Sequence, residues 1–184
     1  GTYEILFDTK KELKPRVREN GTADYLDLGI VVNVHKGQTL CKISHPTDGT
    51  EGISVRGEKI KPVSGKPVPH LLGSDTYLNE QGTAICSTIN GHVVFSGGVI
   101  IVNETFYVRG NVDSSTGNIK VLGNVEISGD VLSGFSIEAD GYIQIRGSVE
   151  SASIRAGGNI SLRSGIYGSN IVCSGDLTSR FIEN

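Results

Sequence analysis

A repeat of fixed period runs from Ile119 to Leu177 and limits what this chain can fold into. Short apolar alternations recur along it: Ile119 and Val121, Ile127, Ile137, Ile143 and Ile145, Ile154, Ile160 and Leu162, then Ile171. Each is closed by a glycine with a small or polar neighbour, at Gly123-Asn124, Gly129-Asp130, Asp140-Gly141, Gly147-Ser148, Gly158-Asn159 and Gly175-Asp176. Gly123 to Gly141 is 18 residues, and the steps to Gly158 and on to Gly175 are 17 each. Strand side chains alternate faces, so each V-x-V or I-x-I pair points one way. The stretches between corners are too short for helices. A single turn cannot bury its apolar face, whereas a stack of turns can. The pattern predicts a β-solenoid with about one coil per 17–18 residues. A β-sandwich shares short strands and glycine turns but has no fixed period. Gly123, Gly129, Gly141, Gly147, Gly158 and Gly175 are expected at the corners, with positive φ at Gly123, Gly141 and Gly158. Val121, Ile127, Ile143, Ile145, Ile160 and Leu162 are expected to point into the coil.

Composition divides the 184 residues into two parts. All 5 prolines lie at or before Pro69 and the last lysine is Lys120, while 12 of the 25 glycines follow Phe106. We therefore expect a compact N-terminal β domain over 1–105 and the solenoid over 106–184. Lys+Arg 17 against Asp+Glu 20 leaves a net charge of −3, which argues against a nucleic-acid partner, since that calls for a basic patch. No apolar run approaches the ~18 residues of a membrane span, and no signal peptide is visible. Cys41, Cys86 and Cys173 are odd in number and far apart, which reads as free thiols in a reducing compartment. The chain starts with Gly and contains 0 Met, so we expect an expressed fragment with a tag remnant at Gly1.

Within the first part, Thr2 to Phe7 reads as extended. Lys10, Lys11, Lys14, Arg16 and Arg18 make a short cationic run interrupted by Glu12 and Glu19, most simply a solvated face. Ile30 to Val34 has the β-branched composition of a strand, with a turn at His35 to Gln38 and a return over Thr39 to Ile43. Pro46 to Gly52 reads as a turn-rich link, Ile53 to Val55 as a short extended piece closed by Gly57, and Lys61 to Pro67 as a loop. Thr83 to Ser87 and His92 to Phe95 read as a hairpin about Asn90-Gly91. Val99 to Val108 reads as one apolar strand run entering the first coil, and Asp113 to Asn118 as a loop on that coil. No helical periodicity occurs, so an all-β chain is expected.

Candidate chemistry is sparse. His35, His45, His70 and His92 are scattered. Cys41 and His45 are four apart, but on strand and turn rather than on one helix face, which is a poor metal pair. Asp113, Ser114 and Ser115 imitate a reactive cluster, yet Ser, Asp and Gly are ordinary loop residues. Asp130, Asp140 and Asp176 adjoin corner glycines, where turn chemistry alone favours Asp. No GxSxG, HExxH, GxGxxG or P-loop is present. Val125, Val131, Ile137, Ile143 and Val149 lie six apart, as in hexapeptide acyltransferases, but the spacing fails at Arg155 and Ser161. No His follows His92 to act as base. We expect no catalytic centre, no metal and no cofactor.

The stretch Val34 to Leu40 resembles the turn of biotinyl- and lipoyl-type barrel-sandwich domains, without their carrier lysine. Two ordered blocks carry a wider resemblance. One is Asp24-Tyr25, Val34-x-x-Gly37-Gln38, then Pro46-x-x-Gly49-x-x-Gly52-x-x-Val55-x-Gly57 and Gly65-Lys66. The other is Gly110-Asn-Val-Asp113, Thr116-Gly117-Asn-Ile119, Gly123-Asn-Val, Gly129-Asp-Val and Gly158-Asn-Ile. Together they resemble the flagellar assembly protein A family, over almost the whole chain. The resemblance implies a small N-terminal β domain followed by a β-solenoid, in a bacterial cytoplasmic protein; the expected fold is all-β, with a barrel-sandwich-like N-terminal domain and a single-stranded solenoid of the right-handed β-helix type. Members usually continue beyond the position of Asn184, which implies truncation there. The solenoid is also similar to those of bactofilins and of the septum-site inhibitor's C-terminal domain, which assemble or bind partners. The expected function is a non-enzymatic scaffold or regulator working through protein contacts, with self-association at the solenoid end through Phe181 and Ile182. The alternatives are a small-ligand or polysaccharide-binding module, or an acyltransferase. The aromatics Phe106, Tyr107, Phe135, Tyr142, Tyr167 and Phe181 are irregularly spaced, which favours the scaffold.

Overall fold

The computed structural model describes residues 1–9, 16–17, 23–24, 26, 28–57 and 59–183. Every regular element among them is a strand. The cationic run at Lys10, Lys11, Lys14, Arg16 and Arg18, and the motif residue Tyr25, lie outside the residues whose side chains are described.

The N-terminal strands are β1 (Thr2–Ile5), β2 (Arg16–Val17), β3 (Ala23–Asp24), β4 (Asn33–Val34), β5 (Thr39–Ser44), β6 (Gly52–Ile53), β7 (Lys59–Ile60), β8 (Thr76–Leu78), β9 (Ala84–Ser87), β10 (Gly91–Ser96) and β11 (Val99–Asn103). A 4-stranded sheet runs β1-β5-β9-β8 and a 3-stranded sheet runs β11-β10-β4. Both serve one core of Val34, Leu40, Cys41, Leu71, Ile85, Val93, Ile100 and Val102. The expected hairpin about Asn90-Gly91 does not form. β9 pairs with β5 and β8, while β10 pairs with β11 and β4. The tight turn is instead Gly97-Gly98, whose φ values of 60° and 83° suit a two-residue hairpin link.

The solenoid strands are β12 (Thr105–Val108), β13 (Ile119–Val121), β14 (Asn124–Ile127), β15 (Ser136–Ala139), β16 (Ile143–Ile145), β17 (Val149–Glu150), β18 (Ser153–Ala156), β19 (Ile160–Leu162), β20 (Gly165–Tyr167), β21 (Asn170–Cys173), β22 (Leu177–Thr178) and β23 (Phe181–Glu183). They stack as parallel sheets β12-β14-β16-β19-β22, β13-β15-β18-β21 and β17-β20-β23, the last continued towards the first coil by bridges Val112↔Val131↔Val149. Five strands in the first sheet mark about five coils.

Register puts like on like. Phe106, Val125, Ile143, Ile160 and Leu177 form one column, and Val108, Ile127, Ile145 and Leu162 another. Ile119, Ile137, Ile154 and Ile171 line the third side. Val121, Ile127, Ile143, Ile145, Ile160 and Leu162 are all buried. Each buried aliphatic side chain contributes about 1.5–3 kcal/mol. The six-residue apolar spacing fails at Arg155 and Ser161 because the coil shortens from 18 residues to 17. The buried series moves back by one, to Ile154 and Ile160.

Ile30 to Val34 was expected as one strand, but only Asn33–Val34 pairs. Ile30 and Val31 instead pack against the solenoid core. Asn33 fastens this segment to the first coil: its Nδ2 donates to the Lys120 carbonyl at 2.8 Å, and its Oδ1 accepts from the Leu122 N–H at 3.0 Å. Val99 to Val108 is likewise broken at Glu104 into β11 and β12.

Candidate functional site

Two corners of the solenoid use one device. In the corner before the first sheet, Asn124 Oδ1 accepts the Tyr142 N–H at 3.0 Å, and Asn159 Oδ1 accepts the Asp176 N–H at 3.0 Å. In the next corner, Asn111 Oδ1 accepts the Asp130 N–H at 2.9 Å, and Asp130 Oδ1 accepts the Ser148 N–H at 2.7 Å. The glycine of the following coil lies directly against each of these side-chain oxygens. A Cβ on Gly141 would overlap Asn124 Oδ1, and one on Gly129, Gly147 or Gly175 would overlap Asn111, Asp130 or Asn159 in the same way. A Cβ on Gly123 would overlap the Glu104 carbonyl.

Positive φ at these corners is therefore a misreading: Gly123, Gly141 and Gly158 do not adopt it, nor do Gly129, Gly147 or Gly175. They are glycines because coils approach closely there. At Gly158 a Cβ would stand 3.1 Å from its nearest neighbours, and the close approach belongs to Gly157, against the Asp140 carbonyl. The left-handed residues occupy the third corner, at Gly134 (φ 87°), Ser151 (φ 44°) and Gly168 (φ 50°). Sequence reading missed this corner because a serine interrupts its glycines.

The outward faces carry polar columns. Lys120, Glu138 and Arg155 are in register on one, with Lys120 Nζ 3.1 Å from Glu138 Oε2. On the first sheet Tyr107, Glu126, Gln144 and Ser161 are in register. The Tyr142 hydroxyl donates to Glu126 Oε1 at 2.9 Å. That bond to the carboxylate, with some burial, pushes the Tyr142 hydroxyl above its ordinary pKa. So Tyr107 and Tyr142, distant in sequence, share one face with a carboxylate and an amide.

The motif Pro46, Gly49, Gly52, Val55 and Gly57 lies on a single projecting arm. Its limbs close at the base, where the Gly65 N–H donates to the Thr47 carbonyl at 3.2 Å. Gly49 sits where a Cβ would be 3.0 Å from Pro62 Cβ. β6 and β7 pair as Gly52↔Ile60 and Ile53↔Lys59, and the turn closes with Gly57 at φ 81°. The sequence pattern reads this stretch as a link and a loop, because only two residue pairs carry the ribbon.

No group of three or more His, Cys, Asp and Glu side chains that could hold a metal occurs among the described residues. His92 is buried, its ring edge-on to Phe106 at 5.2 Å, where the N-terminal sheet meets the first coil. Cys41 is buried in β5 away from solvent. Asp113 accepts from the Ser115 hydroxyl at 2.6 Å and the Ser115 N–H at 2.8 Å, and these bonds hold its carboxyl below the usual range. It serves the turn of its loop. An open cleft of about 390 Å³ lies between the N-terminal strands and the solenoid, lined by Lys36, Asn90, Glu104, Asn124 and Asp140. Phe181 and Ile182 stand exposed on β23. No helix among the described residues is long and apolar enough to cross a membrane.

These features define an all-β protein in which a two-sheet N-terminal region leads into a parallel β-solenoid. Two family models match it: the Flagellar Assembly Protein A N-terminal region over residues 1–98, and the Flagellar Assembly Protein A beta solenoid domain over residues 104–184. The chain belongs to the Flagellar Assembly Protein A family. Neither a curated protein nor a solved structure matches it.

Proposed function

We propose that this protein is a non-enzymatic cytoplasmic scaffold or regulator of flagellar assembly, working through protein–protein contacts. The observation that carries this reading is the in-register solenoid, a continuous stack with regular outward columns, in a chain of the Flagellar Assembly Protein A family. The reading includes association of β23, through Phe181 and Ile182, with another solenoid coil. β23 pairs with β20 along one edge, and a strand edge is a template for pairing. Pull-down with the full-length protein from native cytoplasm tests the partner: stoichiometric recovery of flagellar-assembly components supports the reading, and their absence opposes it. Light scattering at rising concentration tests association, and a strict monomer removes that part. Turnover of an acyl-CoA by the pure chain would overturn the non-enzymatic assignment.

A second reading, a polysaccharide-binding face, is favoured by the grouping of Tyr107, Glu126, Tyr142 and Gln144. Aromatic rings can stack on sugar rings while the carboxylate and amide bond hydroxyls. Calorimetric titration with oligosaccharides decides it: heat lost on Tyr107→Ala supports this face, and no heat with any glycan removes it.

A further inference from the structure

We propose that the arm about Val55 docks peripherally on an anionic lipid surface, its tip entering the headgroup boundary. The arm exposes apolar side chains that no packing explains. Val55 is fully exposed, and Ile53, Ile60 and Val63 are 78%, 54% and 90% exposed. A two-stranded ribbon is marginal in water, and an apolar patch rimmed by polar groups marks a contact surface.

The distribution of the apolar groups selects the occupant. Ile60 pairs opposite Gly52 and Ile53 opposite Lys59. Neighbouring strand positions face opposite ways, so Ile53 and Ile60 project from opposite faces and Val55 caps the apex. A protein groove reads one face of a ribbon. A fluid apolar layer surrounds the tip and takes all three side chains.

Charge agrees. Within Glu51–Val63 the cations Arg56, Lys59 and Lys61 outnumber the anions Glu51 and Glu58, in a chain of net charge −3, and Lys59 Nζ lies 3.7 Å from Glu51 Oε2, which leaves Arg56 and Lys61 for the lipid. Basic residues beside an insertion element are drawn to the negative potential of anionic lipids, and their stems let the charge reach the phosphates. The turn is also prepared to leave water. The Gly57 N–H donates to the Ser54 carbonyl at 2.9 Å, and the Arg56 N–H donates to Ser54 Oγ at 3.2 Å. Backbone donors that enter an apolar layer need such partners.

The test uses the 184-residue chain, which contains 0 Trp, so Val55→Trp introduces the one indole. Vesicles of phosphatidylcholine alone, and of phosphatidylcholine with phosphatidylglycerol, serve as probes in flotation and fluorescence. The expected result is flotation with the anionic vesicles, a blue shift of the indole on them, and a loss of about tenfold or more in partitioning for Val55→Asp. Arg56→Glu with Lys61→Glu should weaken binding similarly. An unchanged urea midpoint confirms that these variants fold. The proposal is overturned by no flotation of the unaltered chain, by equal flotation on neutral vesicles, or by undiminished binding of Val55→Asp. Binding without a blue shift means adsorption elsewhere and overturns it too. So does a protein partner that shields Val55 while vesicles leave it in water.

Discussion

Asn124 Oδ1 takes the Tyr142 N–H at 3.0 Å through the space that a Cβ on Gly141 would fill. The amide and the glycine are one device spread over adjacent coils. Its neighbours differ in what a methyl group would strike. At Gly123 it strikes the Glu104 carbonyl, at Gly141 a side-chain oxygen, and at Gly158 atoms 3.1 Å away. Gly123→Ala must displace backbone and should cost about 3 kcal/mol or more. Gly141→Ala can turn Asn124 aside and releases the exposed Tyr142 N–H to water, for about 0.5–1.5 kcal/mol. Gly158→Ala should cost under about 1 kcal/mol. Urea midpoints at constant m give the order; equal losses at all three positions would refute the close-approach account.

Ser151 holds φ 44° in a corner shared with Gly134 and Gly168. A side chain in that region costs about 1 kcal/mol relative to glycine. Ser151→Gly should therefore raise stability by about 0.5–1 kcal/mol, read as an increase in melting temperature. A decrease would mean that the serine makes a compensating contact.

Ile145 is fully buried between Ile127 and Leu162. Ile145→Asp places a carboxylate in an aliphatic column with no cation to meet it, a lesion of about 4 kcal/mol or more. The expected outcome is loss of cooperative thermal unfolding, and a melting temperature near that of the unaltered chain would contradict the inward column.

Burial pushes the Cys41 thiol above its ordinary pKa, whereas Cys173 is half-buried near the surface. A maleimide should modify Cys173 first and Cys41 only on unfolding, followed by mass spectrometry. The sign for stability follows from the raised value. The contribution of Cys41 is complete below the unfolded thiol pKa of about 8.5 and is lost as pH rises through the folded one. Urea midpoints of Cys41→Ala and the unaltered chain should converge above that range, apart from the cavity cost.

The period and the inward side chains were legible because strand alternation depends on local residue type alone. Ile143, Ile145, Ile160 and Leu162 could be placed before any pairing was known. The cause of the glycines was not, since Gly141 answers to Asn124, in the preceding coil, rather than to its own torsion. Ile30 and Val31 read as strand because β-branched residues suit any half-buried extended surface; only the first coil, folded, shows what they cover. His92 to Phe95 was paired with the wrong strand because Asn90-Gly91 is a turn signal that tertiary contacts overrode. The arm was overlooked for a related reason. Glycine and proline mark its turns, but nothing local says that Val55 has no core to join.

The Gly–Asn register has a consequence for length. Gly141 and Gly158 occupy the same place in successive coils, the Gly158 N–H donating to the Gly141 carbonyl at 2.9 Å, and the residue after Gly141 donates its N–H back one coil to Asn124. Excising 142–158 would join Gly141 to Asn159, and Asn124 would meet the Asn159 N–H where it now meets that of Tyr142. Every column would close up by one member without a change of phase. The body is thus a spacer graduated in single coils, each worth about 4.8 Å along the axis, and the distance it sets between whatever it holds changes only in whole steps.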